Sequence, residues 1–251
     1  MKINKLKQIL SYILPIPIEV CSSEFNSVLE VTLNRGRYVL DAQNSNYSFG
    51  ALYTIFKNTF IDLGITEKPI KNCLLLGLGG GSVVNLLQKK HNLSIPITAV
   101  EIDPVVIDLG KKYFNLNNYK DLSIINEDAF DFAMYCNKRF DMIIVDLYIN
   151  DVVPDKFHSS EFISYLEKMS HSSTVVLFNK MLNSTSAKSG YSRVVKEMIA
   201  KFGSVRLLTY NVNSVTNKII CVNTSGAKVK EMTEINSTYE MPILLLNPKL
   251  N

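Results

Sequence analysis

From position 73 onward the chain alternates short apolar runs with stretches whose apolar residues recur at helical spacing. Cys73-Leu74-Leu75-Leu76 predicts a buried strand and Ser82 to Lys90 a helix. The same pattern predicts strands at Ile97 to Val100, Leu122 to Ile125, Met142 to Val145 and Val175 to Phe178. Between and after them, helices are predicted at Pro104 to Tyr113, Ala129 to Tyr135, Glu161 to Met169 and Ser189 to Phe202. Val205 to Tyr210 and Ile219 to Val222, joined by polar Asn211 to Asn217, predict a closing antiparallel hairpin. Upstream the pattern differs. Residues 3 to 11 read as a short amphipathic helix. Ser27 to Leu33 and Arg37 to Leu40 read as strands around the turn Asn34-Arg35-Gly36. Phe49, Leu52, Tyr53, Phe56, Phe60 and Leu63 predict a helix from Ser48 to Leu63, closed by Gly64.

Strands alternating with helices in this way predict an α/β protein with a doubly wound, mostly parallel sheet covered on both faces. The expected organisation is a small N-terminal β appendage with a short leading helix (1–47), a Rossmann-like domain (48–223) and a C-terminal tail (224–251). A chain of 251 residues, 47% of them apolar and 20% charged, can bury such a core.

Charge and cysteine usage exclude several functions. The net charge of +4 is scattered, with its densest pieces at Lys89-Lys90-His91 and Lys111-Lys112, and only five of the 27 basic residues are arginine. That is no stripe for nucleic acid. Cys21, Cys73, Cys136 and Cys221 are far apart, and His91, His158 and His171 lack metal-ligand spacing, so neither a disulfide framework nor a metal site is expected. The apolar stretch Ile9 to Val20 is interrupted by Pro15, Pro17 and Glu19, unlike a secretory segment, and no run reaches membrane-spanning length. The expectation is a cytoplasmic protein with no membrane partner.

The chemistry gathers at strand ends. Four of the 11 glycines lie within Gly77-Leu78-Gly79-Gly80-Gly81, between a buried strand and a helix. There, backbone N–H groups can approach a ligand with no Cβ in the way. Glu101 ends the next strand, where a carboxylate can accept both hydroxyls of a ribose. Asp103-Pro104 opens a helix with Asp as N-cap, so Asp103 serves either capping alone or a ligand as well. Asp128 ends the third strand's loop as an N-cap or as acceptor for an adenine amino group, with the Ala129 N–H beside a ring nitrogen. Asp146 ends the fourth strand, beside the crevice where the reactive part of a ligand would lie.

Together Leu74 to Gly81, Val100-Glu101-Ile102-Asp103-Pro104-Val105-Val106, Asn126-Glu127-Asp128-Ala129 and Phe140 to Asp146 resemble the spermidine synthase-like branch of the S-adenosylmethionine-dependent methyltransferase superfamily. The resemblance implies a cofactor site of Gly77, Gly79, Gly81, Glu101, Ile102, Asp128 and Ala129. It makes Asp146 the aspartate that accepts a proton from the attacking amine. It implies S-adenosylmethionine or its decarboxylated form as cofactor, without metal, and a small-molecule acceptor touched by Tyr47, Tyr148 and Asp151. Three positions depart from the family. Gly80 replaces the loop acid that holds an ammonium end, Ile149 replaces the second acid that grips the diamine unless Asp151 stands in for it, and Phe49-Gly50 replaces the Tyr-Gln pair of the substrate gate. A loop without that acid better suits a ligand that keeps its carboxylate.

Three functions follow. One is aminopropyl transfer to a small amine, and another is methyl transfer to a small molecule. The third is a non-catalytic interaction module, for which the apolar tail Met241 to Leu246 is one candidate surface and a homodimer one form. A nicotinamide oxidoreductase is disfavoured because the final place of its G-x-G-x-x-G loop is Ser82.

Overall fold

The computed structural model describes residues 4–42, 45–48, 51–149, 152–212, 215–223 and 233–238. After the short helix α1 (Lys5–Leu10), β1 (Ile16–Cys21), β2 (Leu29–Asn34), β3 (Arg37–Ala42) and β4 (Ser45–Ser48) form an antiparallel sheet in chain order. The sequence pattern anticipates β2 and β3. β1 escapes it because Pro17 interrupts the run. Proline is tolerated there because β1 is an edge strand, with a bulge between Pro17 and Glu19.

The larger sheet begins after α2 (Ala51–Asp62), with β5 (Cys73–Leu76), and continues through β6 (Ile97–Glu101), β7 (Leu122–Asn126), β8 (Met142–Val145) and β9 (Val175–Met181). These five strands are parallel in the order β9-β8-β5-β6-β7. β10 (Arg206–Val212) and β11 (Val215–Asn223) form the expected hairpin, with β11 antiparallel to β9. A twelfth strand, β12 (Thr233–Thr238), pairs parallel to β10 at the edge. Ile235 is the one apolar residue of its six, too little for a strand pattern, so the sequence reading leaves it in the tail.

Five helices accompany the larger sheet after β5: α3 (Ser82–Asn85), α4 (Pro104–Tyr113), α5 (Ala129–Tyr135), α6 (Ser160–Lys168) and α7 (Thr185–Phe202). α3 runs straight into a π-helical turn at Leu86–Lys90. One face of the sheet buries Leu75, Ile144 and Leu177 against Phe56, Phe60, Val84 and Leu87. The other buries Leu74, Ile143, Val145 and Phe178 against Phe162, Leu166, Val194 and Met198. The alternation along each strand therefore places apolar side chains on both faces, as a helix-covered parallel sheet requires. The small sheet packs Leu29, Val31 and Leu40 on Val106, Leu109 and Tyr113 of α4.

The chain leaves β5 toward β6 on one side, while β8 returns on the other. That reversal opens a crevice at the carboxyl ends of β5 and β8.

Candidate active site

Gly77 stands at the floor of this crevice. A Cβ there would come 2.1 Å from the Asp146 carbonyl oxygen, so glycine lets the ends of β5 and β8 close on each other. At Gly81 a Cβ would lie 2.4 Å from Leu116 Cδ2 at a φ of +87°, so this glycine admits the leucine that wedges beneath the loop.

Glu101 is the hub of the loop. Its Oε2 accepts the Leu78 and Gly79 N–H groups at 3.1 and 3.0 Å, and its Oε1 accepts the Asp103 N–H at 3.2 Å. The side chain is buried. Burial pushes its pKa up, while the Gly79, Asp103 and Leu78 N–H groups pull it back. Two of the loop amides expected to face a ligand are thus turned toward Glu101. Asn126 adds a second brace, donating from Nδ2 to the carbonyls of Glu101 and Ile102 at 2.8 and 2.9 Å.

Asp103 takes the structural role. Its Oδ1 caps the Val105 N–H at 2.9 Å, and its Oδ2 accepts Ser23 Oγ–H and the Asn26 amide. It therefore joins the loop after β1 to the start of α4.

Asp128 also caps, with Oδ1 accepting the Phe130 N–H at 2.8 Å, and next to it Ala129 is buried. Its Oδ2 pairs with Lys156 Nζ at 2.5 Å, and that ammonium lies over the rings of Phe157 and Phe130. Capping and ligand contact are compatible here only if an adenine amino group shares or displaces Lys156. The sequence pattern gives no sign of Lys156, which lies in a 3-10 turn between β8 and α6.

Asp146 sits where expected, beyond the end of β8. Its Oδ1 accepts the Asn179 Nδ2–H at 2.9 Å. Burial raises its pKa to about 7; the Asn179 bond opposes that rise and the nearby Glu101 carboxylate adds to it. Asn179 is fully buried within β9, just past its apolar run, and its Oδ1 has no hydrogen-bond partner among the described residues. It was missed in the sequence, although the rule that selected Asp146 also selects it: a polar residue directly after the apolar run of a neighbouring parallel strand. On the opposite face of β9, buried Lys180 meets His158 Nε2 at 2.8 Å, away from the crevice.

Tyr148 is held on β9. Its hydroxyl accepts the Met181 N–H at 2.7 Å and donates to the Asn179 carbonyl at 3.3 Å, so it braces β9. Ile149 and Val152 pair with each other through backbone bonds of 3.0 and 3.2 Å. Asp151, the Phe49-Gly50 pair, the side chain of Tyr47 and the Met241 to Leu246 stretch lie outside the described residues. Among the described residues no cluster of His, Cys, Asp or Glu is arranged to hold a metal, and no helix is long and apolar enough to cross a membrane.

The probable polyamine aminopropyl transferase of Bifidobacterium longum (strain NCC 2705) is 26% identical over 160 residues, which are 64% of this chain and 35% of that protein. The eEF1A lysine and N-terminal methyltransferase homolog of Drosophila melanogaster is 25% identical over 179 residues, 66% of this chain and 25% of its own. The chain thus spans about a third or less of these two relatives. A spermidine synthase solved in complex with the transition state analogue AdoDATO superposes with a TM-score of 0.68 at 15% identity, covering 86% of this chain and 76% of that one. That likeness shows the fold. The model of the spermine/spermidine synthase domain matches residues 54–235, from α2 into β12, and the chain belongs to that family.

Proposed function

We propose that the protein is a transferase that binds an adenosyl sulfonium, S-adenosylmethionine or its decarboxylated form, and passes an aminopropyl group to a small amine. The observation that carries this reading is Asp146, a carboxylate whose pKa is raised to about 7, beside the glycine loop and Glu101 at the ends of β5 and β8. The sulfonium makes its own leaving group good, so the protein's tasks are alignment and removal of one proton from the nucleophile. Glu101 would hold the ribose hydroxyls, Asp128 and Ala129 the adenine, and Gly77 to Gly81 the main chain beside the sulfonium. Asp146 would take the amine proton as the new C–N bond forms and the C–S bond breaks. A base whose pKa lies near the working pH is half ionised there, yet basic enough to accept that proton. The buried, unpartnered Asn179 Oδ1 offers an acceptor for a second N–H of the same amine.

Methyl transfer is the second reading, favoured by one observation. Gly80 stands where the resembling family carries an acid for an ammonium end, so the loop does not oppose a ligand carboxylate. The methyltransferase relative supports the same chemistry on this scaffold.

A thermal-shift panel of S-adenosylmethionine, its decarboxylated form, methylthioadenosine and NAD separates the readings. A ligand at about 100 times its Kd adds about 2.7 kcal/mol, a melting shift of roughly 5 to 10 °C for a chain of this size. A preference for the decarboxylated form supports aminopropyl transfer, and a preference for the carboxylated form supports methyl transfer. Stabilisation by NAD alone would overturn both.

A further inference from the structure

The segment from Lys5 to Leu14 is attached to the molecule by its polar side. α1 is capped by Asn4 and continues as a turn, with the Leu14 N–H still reaching the Leu10 carbonyl at 3.1 Å. Ser11 is buried. Its Oγ accepts the Gly36 N–H at 2.9 Å and its carbonyl accepts the Arg35 N–H at 2.8 Å, while the Tyr12 ring covers Gly36. At about 100° per residue, Leu6, Ile9 and Leu10 share one arc of about 100° on α1, and Ile13 and Leu14 follow in the turn that continues it. These five side chains are 45–72% exposed, and no residue of α1 is buried. An amphipathic helix on a protein surface normally turns this arc inward. Here the turn between β2 and β3 holds the opposite arc, and the apolar one faces water.

Charge selects what covers it. Lys5 and Lys7 border the apolar arc on its two sides, and exposed Arg35 stands in the turn to which Ser11 is bound. Residues 4–18 contain no acid, and the first one after them, Glu19, is committed to Lys112 and Tyr113. A second copy docking symmetrically through this face would bring the same cations together. An anionic lipid surface instead takes the apolar arc into its acyl boundary and leaves the flanking lysines at headgroup level.

We propose that residues 5–14 form an interfacial anchor that seats the protein reversibly on anionic lipid. The contact is peripheral and independent of which reaction the crevice performs.

Co-sedimentation of the full chain with vesicles tests this. Phosphatidylcholine vesicles containing 30% phosphatidylglycerol should pellet the protein, pure phosphatidylcholine should not, and salt should weaken the binding. Replacing Lys5, Lys7 and Arg35 together by Gln should lower the partition coefficient about a hundredfold, at about fivefold for each basic group. Ile9→Ser with Ile13→Ser should lower it at least as far with unchanged melting temperature, since neither side chain is buried. Three outcomes would overturn the proposal: no pelleting with the anionic vesicles, pelleting indifferent to the Ile9 and Ile13 changes, or a solution dimer that Ile13→Ser dissociates. The last would assign the face to a second copy.

Discussion

The two ends of the crevice treat their carboxylates differently. At the nucleoside end, Glu101 is met by three backbone N–H groups, and Asp128 by one N–H and an ammonium. At the acceptor end, Asp146 has a single side-chain donor, Asn179, and its pKa rises to about 7. The difference matches two kinds of work. A carboxylate that binds hydroxyls must be held in place, so it is surrounded by fixed donors, which oppose the rise that burial imposes on Glu101 as well. A carboxylate that accepts a proton during reaction must be poorly stabilised as an anion, so it is buried with few donors.

The strongest test of that contrast removes the base. Asp146→Asn should lower kcat by about 10²–10⁴-fold, the usual contribution of general base catalysis. Adenosyl affinity should stay within a few-fold of the parent, because the nucleoside contacts are untouched. Isothermal titration alongside initial-rate measurement reads both. Turnover at the parental rate would remove Asp146 as the base and leave the acceptor end without a catalytic group.

Glu101→Ala attacks the other end. It should weaken adenosyl binding about a hundredfold, from the loss of charge-assisted hydrogen bonds of about 1.5–3 kcal/mol each. It should also destabilise the fold by about 3 kcal/mol or more, because the Leu78, Gly79 and Asp103 N–H groups lose their acceptor in a buried place. Denaturant unfolding with and without ligand separates the two losses. A variant that binds poorly at parental stability would show that the loop amides do not depend on Glu101.

How much of this was legible in sequence depends on what kind of signal each part leaves. The parallel strands announce themselves because both faces are apolar, as in Leu74-Leu75-Leu76 and Ile143-Ile144-Val145. Their carboxyl ends then locate Glu101 and Asp146 with no further information. β1 and β12 are illegible for different reasons: one is broken by Pro17, and the other has Ile235 as its one apolar residue. Asp103 and Asp128 were legible as caps, since helix N-termini have a local signature, but their remaining partners were not. Ser23 and Asn26 lie about 80 positions before Asp103, and Lys156 lies 28 after Asp128. Such pairings are made by the tertiary fold and leave no periodicity. Tyr148 is another such case, since its bonds to Met181 and Asn179 reach about 30 positions along the chain.

The acceptor end also predicts a pH dependence. Asp146 must be ionised to accept a proton, so kcat/KM should rise with pH through about 7 and level above it. The stability effect has the opposite sign. The folded state holds the proton above the ordinary carboxylate range and the unfolded chain does not, so this group's contribution falls as pH rises from about 4 to about 7. Asn179→Leu removes the donor that holds the pKa down, so the rising limb should move to higher pH while plateau adenosyl affinity is kept. A limb that stays in place would show that Asn179 does not tune Asp146.

The smallest expected effect belongs to Lys156, and it asks whether the nucleoside end is fully occupied before ligand arrives. Lys156 Nζ holds the one Asp128 oxygen that capping leaves over, and the Lys156 side chain is 44% exposed. An exposed pair of this kind contributes about 0.2–1 kcal/mol after solvent screening. If the adenine amino group must displace it, Lys156→Gln should tighten adenosyl binding by up to about fivefold, since 1 kcal/mol is roughly that factor, and the gain should shrink at high salt as the parental pair is screened. Weaker binding in Lys156→Gln would mean that the ammonium and the neighbouring Phe130 and Phe157 rings form part of the adenine site instead of competing for it. Either result fixes whether Asp128 resembles Glu101, a carboxylate prepared in advance, or is released only when the ligand enters.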